Sequence, residues 1–296
     1  RSATTAARSE KNLKRAEEWG LKALEAPECS PANNSLAPYF LATEVYLQQK
    51  NYIKMAEMLN IAEQRNPDQP LETPFKLGDT PVQTIGEGIE AFRDQEWTKI
   101  YNNAVALIQR EKVEDAKRKI ETAILIHPKK GENYSTLTAL FIQEGNMGKA
   151  LSTTDRGLEV NPENSILYQM NADILVQNND LESAKELYLK AIKFSDDPGP
   201  IMRKLLFVYI DMGDNQKAID YSNELLDKYP NDADLYYNVG VLYQRLTLGL
   251  LDLSRELFLE TSPESEPATI KGVYDSFITS RQYAYNSKDY FLQASD

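Results

Sequence analysis

"QEGNMGKALSTTDRGLEVNP", from Gln143 to Pro162, returns 68 residues later as "DMGDNQKAIDYSNELLDKYP", from Asp211 to Pro230. Few letters agree. Gly145 nevertheless aligns with Gly213, Lys149 with Lys217, Ala150 with Ala218 and Pro162 with Pro230. Working outward, Ala116, Ala150, Ala184 and Ala218 stand 34 residues apart, so the interval holds two units. Four positions after each alanine come Ile120, Thr154, Tyr188 and Ser222; three further on come Ala123, Gly157, Ala191 and Leu225. Pro128, Pro162, Pro198 and Pro230 then close the units.

Each unit opens with a second periodic stretch. Tyr134, Leu137, Thr138 and Phe141 recur as Tyr236, Val239, Gly240 and Tyr243, the spacing of one apolar stripe on a helix. Glu-Gly-Asn, Asn-Asn-Asp or Met-Gly-Asp separates it from the alanine-centred helix as a turn signal. Small residues belong where helix axes approach to about 8–10 Å, because two large side chains cannot share that crossing.

This period and pattern resemble the tetratricopeptide repeat, a 34-residue helix–turn–helix with small residues at fixed places and a closing proline. The resemblance implies an all-α fold: an α-solenoid, a right-handed superhelix, of six to seven repeats. Residues 1–35 are expected as an N-terminal segment with one stacking helix over 9–26. Residues 36–69 form repeat 1, 70–96 an insert, 97–266 repeats 2 to 6, and 267–296 a degenerate C-terminal helix pair. Repeat 6 needs two extra residues between its helices, in "QRLTLGLLDLS". The insert accommodates a short β-hairpin around Gly78-Asp79, although Pro74 and Pro81 weigh against it. "GEGIEAFRDQEW" then predicts helix.

Composition narrows the function classes. The chain has 296 residues, 42% hydrophobic and 26% charged, enough for a folded core. A net charge of −12 disfavours nucleic acid, whose phosphates it would repel. Apolar runs such as Leu205 to Ile210 are far shorter than a membrane span. Cys29 is the single cysteine, so an intrachain disulfide is excluded. His127 is the single histidine and precedes Pro128; a Ser–His–Asp or Cys–His arrangement would have to use it. No HExxH, P-loop or EF-hand spacing is present, so no metal and no cofactor are expected and the chain is read as non-enzymatic.

What remains is surface. In the tetratricopeptide family the first helix of each pair lines a concave groove that takes extended peptides or helices. One row of exposed first-helix positions here is Phe40, Tyr101, Ser135, Gln169, Arg203 and Tyr237. Another is Gln48, Gln109, Gln143, Gln177, Asp211 and Arg245. Amides both donate and accept, so the glutamines suit an extended backbone. The set expected for the partner-binding groove is therefore Tyr101, Gln109, Ser135, Gln143, Gln169, Gln177, Arg203, Tyr237 and Arg245. The Lys/Asn/Arg clamp that some members close on a partner's C-terminal carboxylate is not reproduced in these rows.

The leading expectation is a scaffold or adaptor that binds a protein or peptide partner within a larger assembly. The alternatives are a structural subunit that self-associates through its terminal repeats, and a ligand-binding module or enzyme built on residues 68–95. Two compartments stand open. The mildly basic start "RSATTAARSE", without Met, suits an exported or periplasmic protein tethered near a bacterial membrane, and an intracellular scaffold fits as well.

Overall fold

The positions that matter most are four turns. In the computed structural model, which describes residues 2–9, 11–77, 80–262 and 264–295, Glu111, Gly145, Asn179 and Gly213 all take left-handed backbone angles, φ 59°, 71°, 59° and 73°. They are spaced by 34 residues. After each, the next amide reaches back five residues: Lys112 to Leu107, Asn146 to Phe141, Asp180 to Leu175 and Asp214 to Tyr209, at 2.8–3.2 Å. Such a bond ties off a helix C-terminus through a left-handed residue. The residue that donates it then starts the next helix: Asn146, Asp180 and Asp214 accept from Lys149 N, Ser183 N and Lys217 N. One four-residue device therefore stops one helix and caps the next.

The chain divides into two compact units, one ending at Pro162 and one starting at Glu163. The first unit contains α1 (Ser2–Arg8), α2 (Leu13–Glu25), α3 (Leu36–Phe40), which continues as a π-helical turn over Leu41–Tyr46, and α4 (Tyr52–Arg65). A β-hairpin of β1 (Pro70–Leu77) and β2 (Thr80–Thr84) follows, then α5 (Ile85–Gln109), α6 (Val113–Ile126), α7 (Gly131–Gln143) and α8 (Met147–Val160). The second unit contains α9 (Ser165–Gln177), α10 (Leu181–Phe194), α11 (Gly199–Asp211), α12 (Asn215–Lys228), α13 (Ala233–Leu259) and α14 (Pro267–Ser295). Helices alternate as hairpins in both units, an all-α array with one small sheet.

The four alanines of the period are fully buried, as are Ile120, Ala123, Ala191 and Leu225. Tyr134, Leu137 and Thr138 of α7 are buried on the facing helix. Small residues on the second helix of each pair thus receive the bulky stripe of the first, at interior packing density.

The insert is a two-stranded antiparallel hairpin with Phe75 opposite Val82, Lys76 opposite Pro81 and Leu77 opposite Thr80. Its expected turn, Gly78-Asp79, lies outside the described residues. Pro74 falls where the register slips between Pro70 and Phe75, and Pro81 sits opposite Lys76, places where a two-stranded hairpin tolerates proline. Leu71, Val82 and Ile85 pin it to the core of the first unit.

Four expectations need correction. Two helices, α1 and α2, precede repeat 1 where one was expected. The boundary at residue 97 falls inside α5: a capping box between Thr84 and Glu87 starts that helix at Ile85, so the end of the insert and the first helix of repeat 2 are one helix of 25 residues. No turn divides "QRLTLGLLDLS"; α13 runs unbroken for 27 residues, and the last segment is one helix of 29. The reason is the missing stop. No left-handed residue or cap interrupts 244–254, and Thr247 and Ser254 bond back to Tyr243 and Leu250 within the helix.

The two long helices run antiparallel. Tyr243 stacks on Tyr290 and meets Tyr283 edge-on, while Ser287 Oγ donates to the Gly240 carbonyl at 2.9 Å. A Cβ on Gly240 would lie 2.9 Å from two ring carbons of Phe291. Gly240→Ala should therefore destabilise by about 1–3 kcal/mol, whereas Glu111→Gly should stabilise by about 1 kcal/mol by relieving a left-handed side chain. Urea unfolding of both variants checks the signs, and a neutral Gly240→Ala would refute the close approach.

Candidate functional site

First-helix residues at i, i+4, i+7 and i+8 share a face. In the first unit this face carries Tyr101, Val105, Ile108 and Gln109 on α5, and Ser135, Ala139, Ile142 and Gln143 on α7. In the second it carries Gln169, Asp173, Val176 and Gln177 on α9, Arg203, Phe207, Ile210 and Asp211 on α11, and Tyr237, Val241, Gln244 and Arg245 on α13. Ile108, Ile142, Val176 and Ile210 are each half-buried, and each immediately precedes an exposed Gln or Asp. Sequence reasoning named the amide row and missed this aliphatic row beside it. The signal was present, because the four share the 34-residue interval.

Neighbouring rows touch within each unit. Tyr101 stacks on Trp97 with centroids 5.1 Å apart, and its hydroxyl lies 2.8 Å from Thr136 Oγ1, next to Ser135. Gln109 and Gln143 are the last residues of their helices, as is Gln177 in the second unit, so the amides stand at the turn end of the face. Arg245 donates to Asp211 at 3.0 Å, joining equivalent positions of successive repeats. Lys204 bonds Asp173 at 2.7 Å across the same step. Arg203 is tied to Asp232 and only a quarter exposed, so it offers a partner less charge than its letter suggests. Tyr237 is exposed and leans on Phe291 at 5.5 Å. Tyr188, below the face, donates to Asp173; burial first and that carboxylate second raise its phenol far above the ordinary range.

The only histidine is structural in its surroundings. His127 is buried at the end of α6, with Nε2 3.3 Å from Asp94 and 3.6 Å from Glu90 on α5. Lys130 reaches Asp94 at 2.9 Å and lies 4.9 Å from the Trp97 ring. Beside them the buried Arg93 binds Glu63 at 2.8 Å and Asn60 at 2.6 Å, fastening α5 to α4. Carboxylates face His127, rather than a hydroxyl or thiol that a nucleophilic mechanism would need. Among the described residues no group of three or more His, Cys, Asp or Glu could hold a metal, and no helix is long and apolar enough to cross a membrane.

The insert also borders a cavity of about 340 Å³ in the first unit, where Tyr39, Leu71, Phe75 and Phe92 meet Arg8 and Glu44. Those two charges satisfy each other at 2.6 Å.

Residues 166–198 match the family model described as tetratricopeptide repeat. The segment of α9 and α10 is a tetratricopeptide repeat. The left-handed turn between them recurs in the neighbouring hairpins. Similar solved structures include the MamA protein (16% identity, 66% of this chain and 93% of that one, TM-score 0.45). PilF of Pseudomonas aeruginosa is similar at 18% identity, covering 68% and 90%, with TM-score 0.44. A tetratricopeptide repeat protein from Parabacteroides merdae aligns over 99% of this chain and 96% of its own at 15% identity and TM-score 0.38. No curated protein sequence matches the chain.

Burial holds the His127 imidazole below its ordinary value near 6.5, outweighing the nearby carboxylates. The unfolded chain then takes up a proton before the folded one does. Stability is full above about pH 6.5 and declines as pH falls from there toward the folded value. Urea midpoints at pH 7.5, 6.5 and 5.5 should show this decline, and His127→Gln should flatten it; an unchanged slope would exclude His127 as the cause.

Proposed function

We propose that this chain is a non-enzymatic scaffold that binds a partner polypeptide along the inner-helix face of its repeats. Tetratricopeptide repeat proteins are generally interaction scaffolds that bind peptides or proteins. The observation that carries the reading is the paired row: a half-buried aliphatic residue beside an exposed amide or carboxylate, repeated on α5, α7, α9 and α11. Half-buried aliphatic residues offer apolar contact at little ordering cost. The adjoining amides pair with a peptide backbone in either direction. Tyr101 and Tyr237 add aromatic anchors of the kind that dominate binding energy. Arg245 and Asp211, already paired and exposed, contribute orientation more than affinity.

Within each unit the face fits an extended or helical segment better than a compact small molecule, since its features repeat from helix to helix and do not converge on one atom. The partner would be a polypeptide within a larger assembly.

A photo-activated cross-linker placed at Ile142, and separately at Ile210, should capture a discrete partner in extracts of the native source. The same group at Leu189, an exposed residue on a second helix, should not. Capture at Leu189 alone would place the interface elsewhere, and replacing Tyr101, Ile142 and Gln143 together with Ala should lower capture about tenfold while far-UV circular dichroism stays unchanged.

A further inference from the structure

The distal half of the α13–α14 hairpin carries a surface of another kind. The two helices before it, α11 and α12, have 13 and 14 residues; these two have 27 and 29. At 1.5 Å per residue α13 is about 40 Å long against about 20 Å for α11. The core of the second unit includes nothing of α13 beyond Leu246. From 247 to 279, Ser254 is the single buried residue among those described. A two-helix arm with no third layer has no core of its own.

Its apolar residues are not scattered. Leu251 and Phe258 on α13 line one groove with Ile270, Tyr274 and Phe277 on α14, and Leu248 lines an adjoining one nearer the repeats, at spacings of three, four and seven along the helices. These six are 38–65% exposed. Together they leave on the order of 600 Å² of apolar surface, the upper end of what a monomer's largest patch reaches. The first groove has a volume of about 700 Å³, and the adjoining one, where Leu248 meets Phe291 and Leu292, about 450 Å³. That shape suits an amphipathic helix laid lengthwise as the missing third helix.

Charge selects the occupant. The chain carries 45 Asp and Glu against 33 Lys and Arg, yet among the described residues no carboxylate lines either groove. Their ionic lining is Arg255 in the first and Lys288 in the adjoining one. Neither is paired with a carboxylate among the described residues, whereas Lys271, on the same hairpin but outside the groove, is paired with Asp275. A second copy would oppose these cations with its own. A partner helix whose apolar stripe is flanked by Asp and Glu would meet them with complementary charge.

We propose that the α13–α14 groove is a second docking site, adjoining the inner-helix face at Gln244 and extending away from it, and that it takes an acidic amphipathic helix from another polypeptide.

The test uses the full chain and two labelled synthetic 18-residue helices. Both carry the same Leu stripe, one flanked by Glu and the other by Lys. Fluorescence anisotropy should show the Glu-flanked peptide binding at least tenfold more tightly. Arg255→Glu with Lys288→Glu should remove that preference, and both side chains project from the fold, so circular dichroism should stay unchanged. Phe258→Ser should weaken the Glu-flanked peptide while the partner cross-linked at Ile142 is still captured. Equal binding of both peptides, or no binding of the Glu-flanked one, overturns the proposal. So does a dimer in sedimentation that Phe258→Ser dissolves, which would assign the groove to a second copy. Binding to phosphatidylserine vesicles that is lost on charge reversal would assign it to a membrane surface and overturns the proposal as well.

Discussion

Everything periodic in this protein depends on one left-handed residue every 34 positions. Glu111, Gly145, Asn179 and Gly213 end a first helix by letting the following amide bond back five residues. In three of the four turns, the next side chain caps the second helix. The two helices of each pair therefore meet at a set angle and register. The buried alanines follow from that register, because they occupy the places where the crossing leaves no room for more than a methyl group. The device also explains why only two of the four turns show Gly. Asn tolerates the left-handed region well, and Glu111 occupies it at a strain that the surrounding hydrogen bonds hold in place.

The C-terminal hairpin shows what happens without the device. Nothing between Gln244 and Ser254 takes a left-handed angle, so α13 continues through the place where a repeat would turn. The cost is an arm whose apolar side chains exceed what a second helix alone can cover. The same absence that lengthens the helix thus creates an exposed groove. The 85–96 segment is a parallel case: once Thr84 and Glu87 cap a helix, it propagates into the next repeat because no stop intervenes. Repeat boundaries in this chain are set by stops rather than by apolar periodicity.

The candidate surfaces differ in how they use charge. On the inner-helix face, charges are mostly paired internally: Arg245 with Asp211, Lys204 with Asp173, Arg203 with Asp232. Exposed pairs of this kind add little stability and much orientation. Near His127 the buried Arg93 fastens α5 to α4, and burial lowers the imidazole below its ordinary value. In the α13–α14 groove the cations are left unpaired, and there charge carries information about a partner.

The sequence by itself determined the repeat period, the helix pairs from Val113 to Lys228 and the small residues at their crossings, because each depends on local geometry and on side-chain size. It also located the insert and its hairpin, through alternation around a turn signal. It did not determine where helices fail to stop, because a missing cap is visible only against the length of the finished helix. The candidate rows at Gln109, Gln143 and Gln177 were legible from spacing, whereas the half-buried Ile108, Ile142, Val176 and Ile210 were not, since an aliphatic residue at a helical interval looks the same whether covered or open. The engagement of Arg203, the enclosure of His127 and the cationic lining of the last groove were decided by tertiary structure alone. Each depends on which residues, distant in the chain, the packed helices bring within a few ångströms.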